Sequence, residues 1–159
     1  MASIKGIALK AVKTGIGHDF GGFQANIYLH NKKIGHVLDD GWGGDLQLDF
    51  DKQEEEFDQL AEAYRTETNE TLLSATDHLI YSLMDLIEAE KAYKKSVKQG
   101  YNIYLYLDYR PKEQGDVPVP KTKEESYQCA TVEFAEKLIK EKKPVAYEIY
   151  SSLNDFVIA

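Results

Sequence analysis

The chain has one cysteine, one tryptophan, two methionines and four prolines among its 159 residues. Because Cys129 is alone, no intrachain disulfide can form. Apolar runs are short, and none approaches the ~18 residues that a bilayer-spanning helix needs. The opening Met-Ala-Ser-Ile-Lys-Gly carries no apolar leader and starts on strand-like sequence. Together these absences set the expectation of a cytoplasmic protein with no membrane partner. Basic residues are also scarce, with 19 Lys and Arg against 27 Asp and Glu and a net charge of −8. Only 91–98 and 137–143 concentrate positive charge, the first next to Glu88 and Glu90 and the second holding Glu141, so direct nucleic-acid binding is not expected.

Recognisable chemistry is sparse as well. Gly15-x-Gly17-His18-Asp19-Phe20-Gly21-Gly22 is not a phosphate loop, because it lacks the Gly-Lys-Ser/Thr ending and precedes a strand rather than a helix. Asp49, Asp51 and Gln53 match the first ligand spacing of a calcium loop, but Glu54 stands where glycine is required and Leu60 where a bidentate Glu belongs. Nothing local activates the Cys129 thiol, and adjacent residues such as His18 and Asp19 seldom face each other. His30 and His36 fall on one hairpin, near Asp39 and Asp40, which is too little for a metal site. The expectation is therefore no catalytic residues, no metal and no cofactor, hence no enzyme.

What the chain does have is a core and a concentrated field. Its content, 43% apolar and 11% aromatic, is enough for one α+β domain spanning residues 1–159. Twelve of the 27 acids fall between Asp39 and Glu70 against Lys52 and Arg65 alone, a local net of −10. Such a field draws basic partners and repels nucleic acid.

Period-2 alternation dominates the first fifty residues. Ile7, Leu9 and Ala11 alternate with Ala8 and Lys10. Phe23, Ala25, Ile27 and Leu29 alternate with Gln24, Asn26, Tyr28 and His30, and an Asn31-Lys32 turn leads into 33–38. Leu46, Leu48 and Phe50 alternate again. The period then becomes helical, with Phe57, Leu60, Ala61 and Tyr64 on one stripe. Thr68 or Asn69 is placed to cap a second helix whose stripe would be Leu72, Thr76, Leu79, Ile80, Leu83 and Ile87, ending at Gly100. Residues 101–109 form the strongest β segment, 111–123 read as a proline-bearing loop, and 131–142 as a helix with Val132, Ala135, Leu138 and Ile139 inward. One or two short strands close the chain. Strands, helices, strand, helix, strand implies a mostly antiparallel sheet with about three helices packed on one face.

Two surfaces stand out. The first is the acidic block with its glycine turn Asp39-Asp40-Gly41-Trp42-Gly43-Gly44-Asp45, where glycines permit close approach and the indole offers contact area. Its candidate contacts are Asp39, Asp40, Trp42, Asp45, Asp49, Asp51, Glu54, Glu55 and Asp58. The second is the tyrosine-rich strand, where Tyr104, Tyr106 and Tyr109 with Arg110 form an alternative pocket for a small molecule or nucleotide signal, and whose edge is compatible with a homodimer.

The string Phe23-x-Ala25-x-Ile27-Tyr28-x-x-Asn31-Lys32-Lys33-x-Gly35-x-Val37-x-x-Asp40-Gly41-x-Gly43-Gly44 resembles the opening of small uncharacterised bacteriophage and prophage proteins, over residues 5–50. The resemblance brings no activity with it. It implies an accessory phage protein, many of which inhibit a host enzyme or defence system by binding it. The expected function is thus a non-enzymatic inhibitor whose acids occupy the basic surface of a host protein, one that handles nucleic acid or acts in defence. The alternative is a protein that sequesters a nucleotide signal.

Overall fold

The computed structural model describes residues 1–111 and 122–159, which form two compact units, 1–88 with 156–159 and 89–155. The architecture is α+β, with two sheets that are antiparallel except for one short parallel pair.

The first unit holds a six-stranded sheet. Its strands are β1 (Ser3–Ile4), β2 (Ile7–Ile16), β3 (Gly22–Leu29), β4 (Lys32–Asp39), β5 (Gln47–Phe50) and, from the chain's end, β9 (Val157–Ile158). Their order is β5-β4-β3-β2-β1-β9, with β1 and β9 parallel. The β3 alternation appears as expected: Phe23, Ala25, Ile27 and Leu29 are buried and the residues between them are not. The register aligns Leu9, Ile27, Gly35 and Phe50 across four strands. A side chain at Gly35 would press on the Phe50 ring and the Asp49 carbonyl, so glycine there lets β5 close up. Phe50 then meets Phe57 of helix α1 (Glu54–Glu67), with ring centroids 4.9 Å apart. Phe57, Ala61 and Tyr64 of α1 are buried, as are Leu79, Ile80 and Leu83 of helix α2 (Ala75–Lys98).

Several expectations need correction. The β3–β4 turn is His30-Asn31 rather than Asn31-Lys32, because both His30 and Asn31 take positive φ (46° and 66°) and Lys32 already pairs with Leu29. β2 does not alternate through Ala11: φ there is 53°, the register shifts between Lys10 and Lys13, and Ala11 is exposed. Helix α2 starts at Ala75, leaving Leu72 74% exposed. Thr68 instead follows the end of α1, its hydroxyl donating to the Tyr64 carbonyl, and Ser74 Oγ accepts from the Asp77 N–H at the true start of α2.

The second unit holds the three-stranded sheet β7-β6-β8, from β6 (Ile103–Asp108), β7 (Glu124–Cys129) and β8 (Ala146–Tyr150), with helix α3 (Val132–Lys142). Ile103, Leu105 and Leu107 are buried with Cys129 and Ala135, and Leu138, Ile139 and Ile149 pack around them. Thr131 caps α3, accepting from the Phe134 N–H. Val132 lies exposed rather than inward, and β7 occupies a stretch to which alternation assigns no strand. The loop expected over 111–123 lies mostly outside the described residues.

Candidate functional site

The glycine turn and the glycine-rich loop before β3 form one structure. The His18 N–H donates to the Asp40 carbonyl at 2.8 Å, and a Cβ at Gly17 or Gly22 would collide with the carbonyl oxygens of Asp40 or Asp39. Only glycine allows the two backbones this close. Two overlapping Asx turns shape the tip: Asp39 Oδ1 accepts from the Gly41 N–H (2.9 Å) and Asp40 Oδ1 from the Trp42 N–H (3.0 Å). Asp39 Oδ2 accepts from the Tyr81 hydroxyl at 3.2 Å. Burial, with the Asp39 charge beside it, pushes the Tyr81 phenol up to about 12. Asp39 and Asp40 are thus builders of the turn more than free contacts.

The turn presents aromatic rings. Trp42 is 70% exposed and Phe20, on the short 3-10 turn His18–Phe20, is 79% exposed. The His18 imidazole stacks on the Trp42 indole, with centroids 3.6 Å apart and planes 16° from parallel. His18 Nε2 also lies 3.2 Å from Asp19 Oδ2, so these neighbours do face each other, contrary to expectation. Sequence reasoning missed His18 and Phe20 as surface features. The visible hint was two glycine-rich strings flanking one hairpin.

The remaining acids of the block line an edge. β5 is the terminal strand of its sheet, and Asp49 stands on its exposed side in a row with His36, Asn26 and Lys10. Asp45, Asp51, Glu54, Glu55 and Asp58 are exposed as well, the last three on the first turns of α1. Acids at that end suit the helix dipole. Among the described residues, none of Asp45, Asp49, Asp51, Glu54, Glu55 and Asp58 makes a side-chain hydrogen bond or ion pair. Glu56, which accepts from Gln53 at 2.8 Å, and Glu62, 3.6 Å from Arg65, are engaged.

The tyrosine strand has the opposite character. Arg110 donates to both oxygens of Asp108 and to the Tyr106 hydroxyl, and Tyr106 donates to Glu124 at 2.6 Å. The Arg110 hydrogen bond holds the Asp108 carboxyl below its usual range, while burial and then Glu124 push the Tyr106 phenol up. Tyr109 belongs to a second network, donating to Glu125, which also accepts from Tyr127; hydrogen bonds from Tyr127 and Tyr109 hold Glu125 low. Tyr109 packs on the core side whereas Tyr104 and Tyr106 alternate to the other face, so the four alternative-pocket residues do not converge. Tyr104 instead stacks beside Tyr150, centroids 6.1 Å apart, and borders an open cleft of about 440 Å³ with Lys95, Tyr101, Ser126 and Gln128.

The other polar candidates are accounted for locally. Cys129 is fully buried, and desolvation pushes its thiol up. His30 lies against Gly6, while His36 pairs opposite Asn26 and Asp49, so the two histidines do not converge. His78 stacks on Tyr64 and lies 2.7 Å from the Thr68 hydroxyl. Among the described residues no three His, Cys, Asp or Glu side chains are grouped to hold a metal, and no helix is long and apolar enough to cross a membrane. Comparison with protein-family models, curated proteins and solved structures found no match to the chain.

Proposed function

We propose that this chain is a non-enzymatic binding protein, phage-encoded, that occupies the basic surface of a bacterial host protein, one that handles nucleic acid or acts in defence. The observation that carries it is the row of exposed carboxylates on β5 and α1 without partners among the described residues. Keeping like charges together costs self-repulsion that the helix dipole offsets only at the first turn of α1, and a cationic partner would relieve the rest. Regular structure, rather than a floppy tail, spaces the charges: a strand carries Asp49 and a helix carries Glu54, Glu55 and Asp58. A host protein captured from lysate at low salt supplies the test. Reversing Asp49, Asp51, Glu55 and Asp58 to Lys should slow its association by about tenfold or more and flatten the salt dependence. An unchanged association rate and salt slope would remove the proposal.

A nucleotide-sized ligand is the second candidate, favoured by the cleft beside Tyr104, where Lys95 supplies one cation and two tyrosine rings supply stacking surface. Arg110 adds less than its charge suggests, being committed to Asp108 and Tyr106. Native mass spectrometry of protein drawn from infected cells would reveal a retained small molecule.

A further inference from the structure

We infer that the exposed face of Trp42 is a receptor for an arginine side chain of the basic partner; this rests on the acidic-surface proposal and adds to it where one partner residue docks. The indole is prepared rather than floppy. His18 covers it on one side at 3.6 Å, the Trp42 N–H is held by Asp40, and the two loops share the His18–Asp40 backbone bond. Little freedom is therefore left to lose when a ligand stacks on the rest of the ring.

The surroundings select the ligand. Two exposed rings, Trp42 and Phe20, make no broad apolar interface, and Trp42 lies within the 39–70 stretch that carries a net −10. A nucleic-acid base could stack on indole, but its phosphates would meet the −10 field. A guanidinium satisfies both demands: it is flat, weakly hydrated and cationic, so it stacks on indole and reaches nearby carboxylates. Asp19, whose side chain is 89% exposed, and the exposed Asp45 are carried by the same two glycine-rich segments as His18 and Trp42. An ammonium is a point charge with a tighter hydration shell and gains less from the ring.

Fluorescein-labelled octa-arginine and octa-lysine peptides, titrated at low salt and followed by anisotropy, test this. Wild type should favour octa-arginine by about fivefold beyond any preference kept by Trp42→Ala, and Trp42→Phe should keep part of that margin. Trp42 is the only tryptophan, so octa-arginine should also change the intrinsic tryptophan emission at saturation while octa-lysine leaves it nearly unchanged. If Trp42→Ala keeps the full arginine preference, or both peptides perturb the emission equally, the arginine receptor is wrong. Should both peptides then still lose binding in the Asp49→Asn, Asp51→Asn, Glu55→Gln variant, the acidic-surface proposal survives without it. Failure of both peptides to bind wild type would overturn both proposals.

Discussion

The acidic edge of the first unit and the tyrosine strand of the second carry similar chemical material to opposite ends. Around β6, charges and hydroxyls answer one another: Arg110 meets Asp108 and Tyr106, and Glu125 meets Tyr109 and Tyr127. On β5, α1 and the segments beside them six carboxylates stand exposed with no such answer among the described residues. Internal pairing organises a fold, whereas unanswered charge of one sign stores interaction for something outside it. The density of polar side chains alone therefore does not tell a paired surface from an unpaired one. Tyrosines and an arginine on one strand look like a pocket until their partners are traced.

That contrast can be broken from the scaffold outward. Phe57→Ala removes the ring that seats the acidic helix on Phe50, and should destabilise the protein by about 3–5 kcal/mol in urea unfolding. A loss under about 1 kcal/mol would mean that α1 is not anchored there.

The networks can be broken next by acid. Glu125 and Asp108 are held below their ordinary values of 4.5 and 3.8 in the folded chain. Groups lowered on folding stabilise fully above the ordinary value, and that stabilisation is lost as pH falls through the lowered one. Amide exchange along β6 should thus accelerate, relative to an unstructured reference peptide, as pH drops from about 6 to about 3, and less so in Glu125→Gln. Equal acid sensitivity in wild type and Glu125→Gln would dismiss the network as its source.

The smallest effect sharpens the contrast most. Arg110→Ala should cost about 0.5–1 kcal/mol, modest because the side chain is half exposed and screened. Changing Asp49, Asp51 and Glu55 to their amides should stay within about 0.5 kcal/mol of wild type or raise stability. Thermal unfolding that ranks the two variants the other way would abolish the distinction between paired and unpaired regions.

Alternation made β3 and β6 legible, because one face of each is apolar and the other wet. It could not disclose β7, Glu-Glu-Ser-Tyr-Gln-Cys, whose core-side residues include Glu125 and Tyr127, a carboxylate and a phenol made acceptable there by bonding to each other. Thr68 and Asn69 looked like the start of α2, yet a hydroxyl that can open one helix can equally close the one before it. The acidic block could be read from composition, including its exposed members. Composition could not separate the turn-building Asp39 and Asp40 from Asp49 and Asp51, since the difference lies in which N–H and O–H groups the fold brings within reach. Nor could it show His18 beneath Trp42, a contact made across 24 residues by glycines too small to keep two loops apart.

The position of β5 at the end of its sheet has one more consequence. A terminal strand offers a row of backbone donors and acceptors on which a second copy of the chain could template itself and grow into an aggregate. Two such strands brought side by side would also bring Asp49 and Asp51 of each copy together, along with the acids of α1. Repulsion between these carboxylates opposes pairing along that edge, so neutralising them should shorten the time the purified protein stays clear in solution.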